Sequence, residues 1–290
     1  MTESVSSIAN RVVPLTTFRR GGLVFDVRDE GPSDGQVVVL LHGFPETSAS
    51  YQDIVPRLVS AGYRTLVPDQ RGVSPRARPA ARLAYRMNEL VADVIALADQ
   101  AGAARFHLVG HDWGAAVAWQ VAMRHPDRLH TLTSLSIPHP AAFRNAVFTS
   151  GQGLRSWYML FFQLPAVPEA LLTAPGWTRF KQGLVRSGLP EKFADTYVEH
   201  LRQPGALTAA LNWYRGLRPF ADAKPTRVST PTLLIWSTRD AYVHEKGVRS
   251  TARFTRGPYR LEILEGVSHW IPEQAPDRVA ELLLPHLAGR

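Results

Sequence analysis

The side chain best suited to attack a substrate is the carboxylate of Asp112, at the centre of Gly110-His111-Asp112-Trp113-Gly114. The motif follows a short apolar run and opens a helix-forming one. A strand that turns sharply into a helix forces its central residue into strained backbone, and flanking glycines remove the clashes that would forbid the turn. The side chain then projects above the sheet, at a helix N-terminus whose partial positive charge favours an anion. Serine usually stands at this position. An Asp after a strand can also simply cap the next helix, and the five residues alone leave the two roles equal. A carboxylate nucleophile would attack saturated carbon, forming an ester that water must then cleave. Strained epoxides and carbon–halogen bonds are the electrophiles that suit it.

Two further features turn the reading toward a nucleophile. Leu41-His42-Gly43-Phe44-Pro45 follows another apolar run. Backbone N–H groups from such a loop and from the residue after the nucleophile make an oxyanion hole. The donors would be Phe44 and Trp113, each contributing ~3–4 kcal/mol to a tetrahedral intermediate. His42, Phe44, Pro45 and Trp113 are expected at the substrate pocket, with His42 holding the loop by hydrogen bonds. The second feature is a base for the attacking water. The chain has ten histidines, so most are structural or on the surface. His269 follows the last strand-like run and the turn Gly266-Val267-Ser268. Asp240 follows an earlier one, and the order nucleophile, acid, histidine is that of a relay on this architecture. Asp240 would fix the imidazole tautomer and stabilise the imidazolium. Each residue alone reads as a loop Asp or loop His; order and placement together make the relay.

Strand-like and helix-like stretches alternate around these residues. The first ~30 residues suggest a hairpin: 15–18, a turn at Arg20-Gly21-Gly22, then 23–27. Strands are expected at 37–41, 63–67, 106–109 and 129–135, and helices at 51–61, 87–101 and 115–123. In the second helix Leu90, Val91, Val94, Leu97 and Ala98 share one face. Alternation stops at Ile137-Pro138-His139-Pro140 and resumes with strands at 232–236 and 260–264 and helices at 246–254 and 276–287. The fold class is α/β, a mostly parallel twisted sheet with helices on both faces. The core would comprise 1–137 and 225–290, interrupted by a helical cap insertion over 138–224. Such an insertion lies over the carboxyl edge of the sheet, where open α/β sheets bind ligands.

Composition adds boundaries. The 290 residues are 45% hydrophobic and 20% charged, an ordinary globular balance. The absence of cysteine excludes thiol catalysis, disulfides and cysteine metal sites. No apolar run approaches the ~20 residues of a membrane span. Residues 1–13 lack the pattern of a secretory signal, so a cytoplasmic location is expected. The net charge is +8, but the arginines are scattered and not interleaved with aromatics. They read as solvated surface, and no nucleic-acid partner is expected. Gly110 and Gly114 lack the spacing of a dinucleotide site and no Gly-Lys-Ser/Thr follows. No cofactor or metal is expected.

With these residues in place, the sequence resembles the epoxide hydrolases of the α/β-hydrolase superfamily over nearly its whole length. The family carries two cap tyrosines, one before a Phe-Gln pair and one in an Asn-Trp-Tyr segment. Here those segments are Trp157-Tyr158-Met159-Leu160-Phe161-Phe162-Gln163 and Asn212-Trp213-Tyr214. By themselves the two tyrosines read as members of an aromatic core. The resemblance implies that Tyr158 and Tyr214 donate protons to the epoxide oxygen. It also implies a small apolar epoxide as substrate, and a monomer or homodimer. Asp69-Gln70-Arg71-Gly72-Val73-Ser74 lacks the family's second glycine, and Ser237 and Ser268 stand where glycines are usual. The rival reading is a dehalogenase, but haloalkane enzymes carry Asn at the position of Phe44 and fluoroacetate-type enzymes Arg at that of Trp113. A serine esterase lacks its nucleophile, since Ser134 and Ser136 lie on or just after a strand. A non-catalytic ligand-binding protein on the same fold is the alternative of another class.

Overall fold

Val37–Leu41 forms a strand whose five residues are all buried, because helices cover both of its faces. Val37, Val39 and Leu41 pack into one cluster with the helix faces of Leu90, Val94 and Val117, while Val38 and Leu40 pack into another with Leu58, Val279 and Leu283. Side chains alternate sides along a strand, so an unbroken apolar run marks a strand buried twice.

The computed structural model describes residues 14–216 and 226–289. Eight strands form one sheet: β1 (Thr17–Arg20), β2 (Leu23–Glu30), β3 (Val37–Leu41), β4 (Arg64–Pro68), β5 (Phe106–His111), β6 (Leu129–Leu135), β7 (Thr232–Arg239) and β8 (Tyr259–Ser268). Their order is β1-β2-β4-β3-β5-β6-β7-β8. β1 and β2 are the expected hairpin, antiparallel to each other and β2 to β4; all other pairs are parallel. β2 runs to Glu30 and β5 to His111 because their partners continue: Glu30 pairs with Thr65, and His111 with Leu135. Sheet pairing overrides the weak strand preference of Gly110.

Six helices flank the sheet: α1 (Val55–Ser60), α2 (Met87–Gln100) and α3 (Trp113–Arg124) in the first part, then α11 (Glu245–Ser250), α12 (Ile271–Gln274) and α13 (Pro276–Leu287). The helix expected at 51–61 is a 3₁₀ turn, Ser48–Tyr51, followed by α1. Pro56 stands in the first turn of α1, where a missing N–H costs nothing. Among the described residues between β6 and β7 lie seven helices: α4 (Pro140–Thr149), α5 (Gln152–Arg155), α6 (Trp157–Phe161), α7 (Val167–Thr173), α8 (Thr178–Arg186), α9 (Glu191–Leu201) and α10 (Ala206–Gly216). The expected end of the insertion, at 224–225, and the segment 1–13 lie outside the described residues. No helix among the described residues is long and apolar enough to cross a membrane.

Hydrogen bonds tie the insertion to the core. Trp213 donates to the Arg71 carbonyl at 2.6 Å, and the Tyr197 hydroxyl to Glu273 at 2.7 Å. Arg215 holds three helices together, donating to the carbonyls of Phe162 and Leu164 at 2.8 Å and to Glu169 at 2.6 Å. Gln163 donates to the Tyr214 carbonyl at 2.8 Å, which fixes α6 against α10. The segments bearing Tyr158 and Tyr214 thereby become neighbours.

Candidate active site

Asp112 stands between β5 and α3 with φ 49° and ψ −119°, a conformation that L residues rarely adopt. The neighbouring glycines are needed for close approach. A Cβ on Gly110 would lie 2.4 Å from the Gly114 carbonyl oxygen, and one on Gly114 2.1 Å from that of Leu41. Gly43 is held for a different reason, since its Cβ would lie 2.4 Å from the Cβ of Asp112. The turn therefore aims the carboxylate at the tip of the β3 loop. There Asp112 Oδ1 accepts the Phe44 N–H at 3.0 Å. Trp113 is the first residue of α3, and a first-turn N–H has no partner within its own helix.

His269 follows β8, and its Nε2 lies 3.5 Å from Asp112 Oδ2. Its Nδ1 is 2.9 Å from Asp240 Oδ2. Asp240 is buried after β7, and its other oxygen accepts the N–H groups of Tyr242 and Val243 at 2.8 and 2.9 Å. Three residues far apart in sequence are thus joined in a single chain of contacts. Burial alone would push the His269 pKa down, but the Asp240 and Asp112 carboxylates outweigh it and hold the ring well above its ordinary value. Burial also pushes Asp112 up, and hydrogen bonding and charge from His269 bring it below the ordinary carboxylate range. Both shifts favour a charged imidazole ring beside the Asp112 carboxylate.

A cavity of about 500 Å³ opens above these residues, lined by Phe44, Pro45, Asp112, Tyr158, Tyr214 and His269 among others. The Tyr158 and Tyr214 rings lie 6.0 Å apart, edge to face. Phe44, Trp113 and Phe162 brace Tyr214 at 5.4, 4.9 and 4.9 Å. Burial, and then neighbouring negative charge including Asp112, raises both phenols well above the ordinary tyrosine value, so both stay protonated.

Two of the expected pocket residues do not reach the cavity. His42 turns into its own loop: Nδ1 lies 2.9 Å from the Gly43 carbonyl and Nε2 accepts the Gln70 N–H at 3.1 Å. Trp113 packs edge-on against Trp213 and Tyr214 behind the wall. Of the three departures from family glycines, Ser237 and Ser268 meet in a compact joint, and Ser74 stands where the 69–74 segment lacks its second glycine. Ser237 Oγ donates to the Ser268 carbonyl at 2.6 Å, linking the Asp240 loop to the His269 loop. Ser74, with φ −54°, needs no glycine, and its hydroxyl accepts the Asp26 N–H at 2.8 Å. Ser136 Oγ donates to the His269 carbonyl at 3.2 Å and Ser134 Oγ to that of Ile137 at 2.6 Å. Neither serine lines the cavity.

The sequence reading missed several supporting residues. Tyr242 lines the cavity with its ring 4.9 Å from His269. Arg155, from α5, donates to the Asp240 and Val243 carbonyls at 2.6 and 3.1 Å and so steadies the acid loop. Behind His269 lies a buried cluster. His111 Nε2 lies 2.9 Å from the His269 carbonyl, and Nδ1 forms an ion pair with Glu46 at 2.6 Å. Burial alone would lower the His111 pKa, but the Glu46 carboxylate outweighs it and raises the ring above its ordinary value. Glu46 also accepts the Gly43 N–H at 2.6 Å, bracing the loop after β3. The one available signal was Glu46, which follows the Gly-Phe-Pro turn within three residues of Gly43.

Glu273, in the same cluster, has its pKa raised to about 8, first by burial and then by the Glu46 charge. A folded value above the ordinary 4.5 means that folding takes up a proton. This contribution to stability is complete below the unfolded value and is lost as pH rises through about 8. In Glu273→Gln, which keeps an acceptor for Tyr197, urea-unfolding stability is expected to fall less between about pH 5 and 9 than in the wild type. Equal falls would place the pH dependence elsewhere.

Strand order, the strained acidic turn and the contacts that join Asp112, His269 and Asp240 together describe a hydrolase scaffold. The family model for the alpha/beta hydrolase fold matches residues 36–276, and the chain belongs to this family. Among its relatives, the AB hydrolase superfamily protein YfhM of Bacillus subtilis is 37% identical over 93% of this chain and 96% of its own length. Epoxide hydrolase 3 of Xenopus tropicalis is 35% identical over 92% of this chain and 75% of its own. The crystal structure of Epoxide Hydrolase A from Mycobacterium thermoresistibile superposes with a TM-score of 0.81 at 28% identity, covering 96% of this chain and 99% of that one.

Proposed function

We propose that this protein hydrolyses epoxides to vicinal diols through an ester between Asp112 and a substrate carbon, with residues 138–224 acting as a cap over the site. The observation that carries this reading is the opposition of two groups across one apolar cavity. A carboxylate stands on the floor, bonded to the Phe44 N–H, and two protonated phenols stand in the wall. The names of the relatives support it.

Asp112 attacks one epoxide carbon from behind, the carbon–oxygen bond breaks, and the departing oxygen takes a proton from Tyr158 or Tyr214. Attack consumes the Asp112 charge. That charge had been helping to raise both phenols and to hold the proton on His269. Its loss makes the phenols better acids as the alkoxide forms, and lets His269 pass its proton to the phenolate left behind and so become a neutral base for the next step. His269, oriented by Asp240, then takes a proton from water, which adds to the ester carbonyl carbon. The oxyanion formed there rests on the N–H groups of Phe44 and Trp113. Collapse expels the diol oxygen, which takes the proton His269 drew from water, and the Asp112 carboxylic acid left behind gives its proton to His269, restoring the imidazolium and a carboxylate that carries one oxygen from water. This chemistry uses side chains alone, without a cofactor, and we assign it to a cytoplasmic monomer or homodimer.

The dehalogenase reading gains no support from the site. Halide departs without a proton, so the paired phenols would be idle, and Phe44 offers only its backbone N–H.

Single turnover of styrene oxide in ¹⁸O-labelled water, with enzyme in excess, tests the ester directly. The first diol is expected unlabelled, with the label appearing in the Asp112 side chain. Label in the first diol would mean direct attack by water and would overturn the covalent route.

A further inference from the structure

Helices α5 to α7 and the turn between the last two leave an unusual row of large apolar side chains in solvent. Leu154 is 82% exposed, Leu160 76% and Trp157 64%, with Leu164, Val167 and Leu171 also exposed. A single exposed leucine needs no explanation, but a contiguous apolar patch marks an interaction surface. Contiguity follows from the cavity: Leu154, Trp157 and Leu171 all line its mouth, and Leu160 lies one turn along α6 from Trp157. The patch therefore rims the opening through which substrate enters.

The charge beside it is mostly basic, although Lys181 is paired with Glu191 at 2.9 Å and Asp195 at 2.6 Å and Arg186 shares a groove with those acids. Residues 140–190 contain Arg144, Arg155, Arg179, Lys181 and Arg186 against a single acid, Glu169. Glu169 is neutralised by Arg215 at 2.6 Å. Arg144, Arg179 and Arg186 are exposed, and Arg179 also lines the cavity. Arg155 and Arg179 thus stand at the cavity beside the apolar rim, with no carboxylate but Asp112 in the same lining.

We propose that this rim docks on an anionic lipid bilayer, seating the cavity mouth against the membrane so that apolar substrates pass from lipid to the site without crossing water. Leucines and a tryptophan entering the headgroup region, flanked by arginines, is the arrangement that binds such a surface. Charge favours this occupant over a second copy of the chain, because two copies meeting on this face would bring like charges together. The proposal does not depend on the reaction assigned to Asp112, and binding to vesicles is read without substrate.

The test is co-sedimentation with vesicles of phosphatidylcholine containing 30% phosphatidylglycerol and with vesicles of phosphatidylcholine alone. The anionic vesicles are expected to bind at least about tenfold more tightly, and less so at high salt. Leu160→Glu should abolish binding, and Arg179→Glu should weaken it. Leu160 lies outside the cavity lining, so hydrolysis of dissolved styrene oxide by Leu160→Glu should equal that of the wild type, which shows that the variant is folded. Absence of wild-type binding to anionic vesicles, or equal binding by Leu160→Glu, would overturn the proposal. So would a wild-type dimer in sedimentation velocity that Leu160→Glu breaks, since that would give the rim to a second copy.

Discussion

Asp112→Ala is expected to lower kcat/KM for styrene oxide by at least about 10⁴-fold, the scale seen when an activated nucleophile is deleted. The loss should be this large because nothing else in the cavity can form the bond to carbon. Ser134 and Ser136 are bonded elsewhere, and the chain has no cysteine. His269→Gln should behave differently. It removes the base for water but leaves Asp112 and both tyrosines in place, so ring opening should proceed once and then stop. Intact mass is expected to show enzyme plus one epoxide, with product limited to a burst of about one per site. Two results would sink the assignment: more than about 1% of activity left in Asp112→Ala, or steady turnover by His269→Gln with no adduct.

Tyr158→Phe combined with Tyr214→Phe is expected to slow ring opening by about 10²–10⁴-fold, the usual range for a positioned general acid. Each single variant should lose less, because the rings stand together and one phenol can still reach the oxygen. The effect should fall on one step only. Rapid-quench kinetics should show slow ester formation, while hydrolysis of the ester, which uses His269 and Asp240, keeps its rate. That split separates proton donation from mere packing, since loss of packing would disturb both steps. Ester formation at wild-type speed in the double variant would remove the tyrosines from the mechanism.

How much of this was legible in the sequence depends on how local each signal is. The strand Val37–Leu41, the strand Leu129–Leu135 and the helix Pro276–Leu287 have the bounds their apolar patterns predict. Each pattern records burial on known faces of one element. The turn at Asp112 was legible because its glycines are demanded by contacts within a few residues or with the neighbouring strand. Where an element's end depends on its partner, as at His111 in β5, the reading fell short by two residues.

The support for His269 was not legible. Glu46, His111, Arg155 and Glu273 come from four separate segments, and nothing in their spacing shows that they converge on one relay. The pocket wall was misread for a similar reason. His42 and Trp113 are adjacent in sequence to groups that face the cavity, but side-chain direction placed both behind it.

The sequence by itself determined the architecture, and which carboxylate would be pushed into strained backbone, because periodicity and glycine clashes act over short range. Only the tertiary structure decided which charges meet, which phenols share a cavity and which arginines stand beside the exposed leucines. Those outcomes depend on the packing of segments that are distant along the chain, and burial then sets the strength of every charge they bring together.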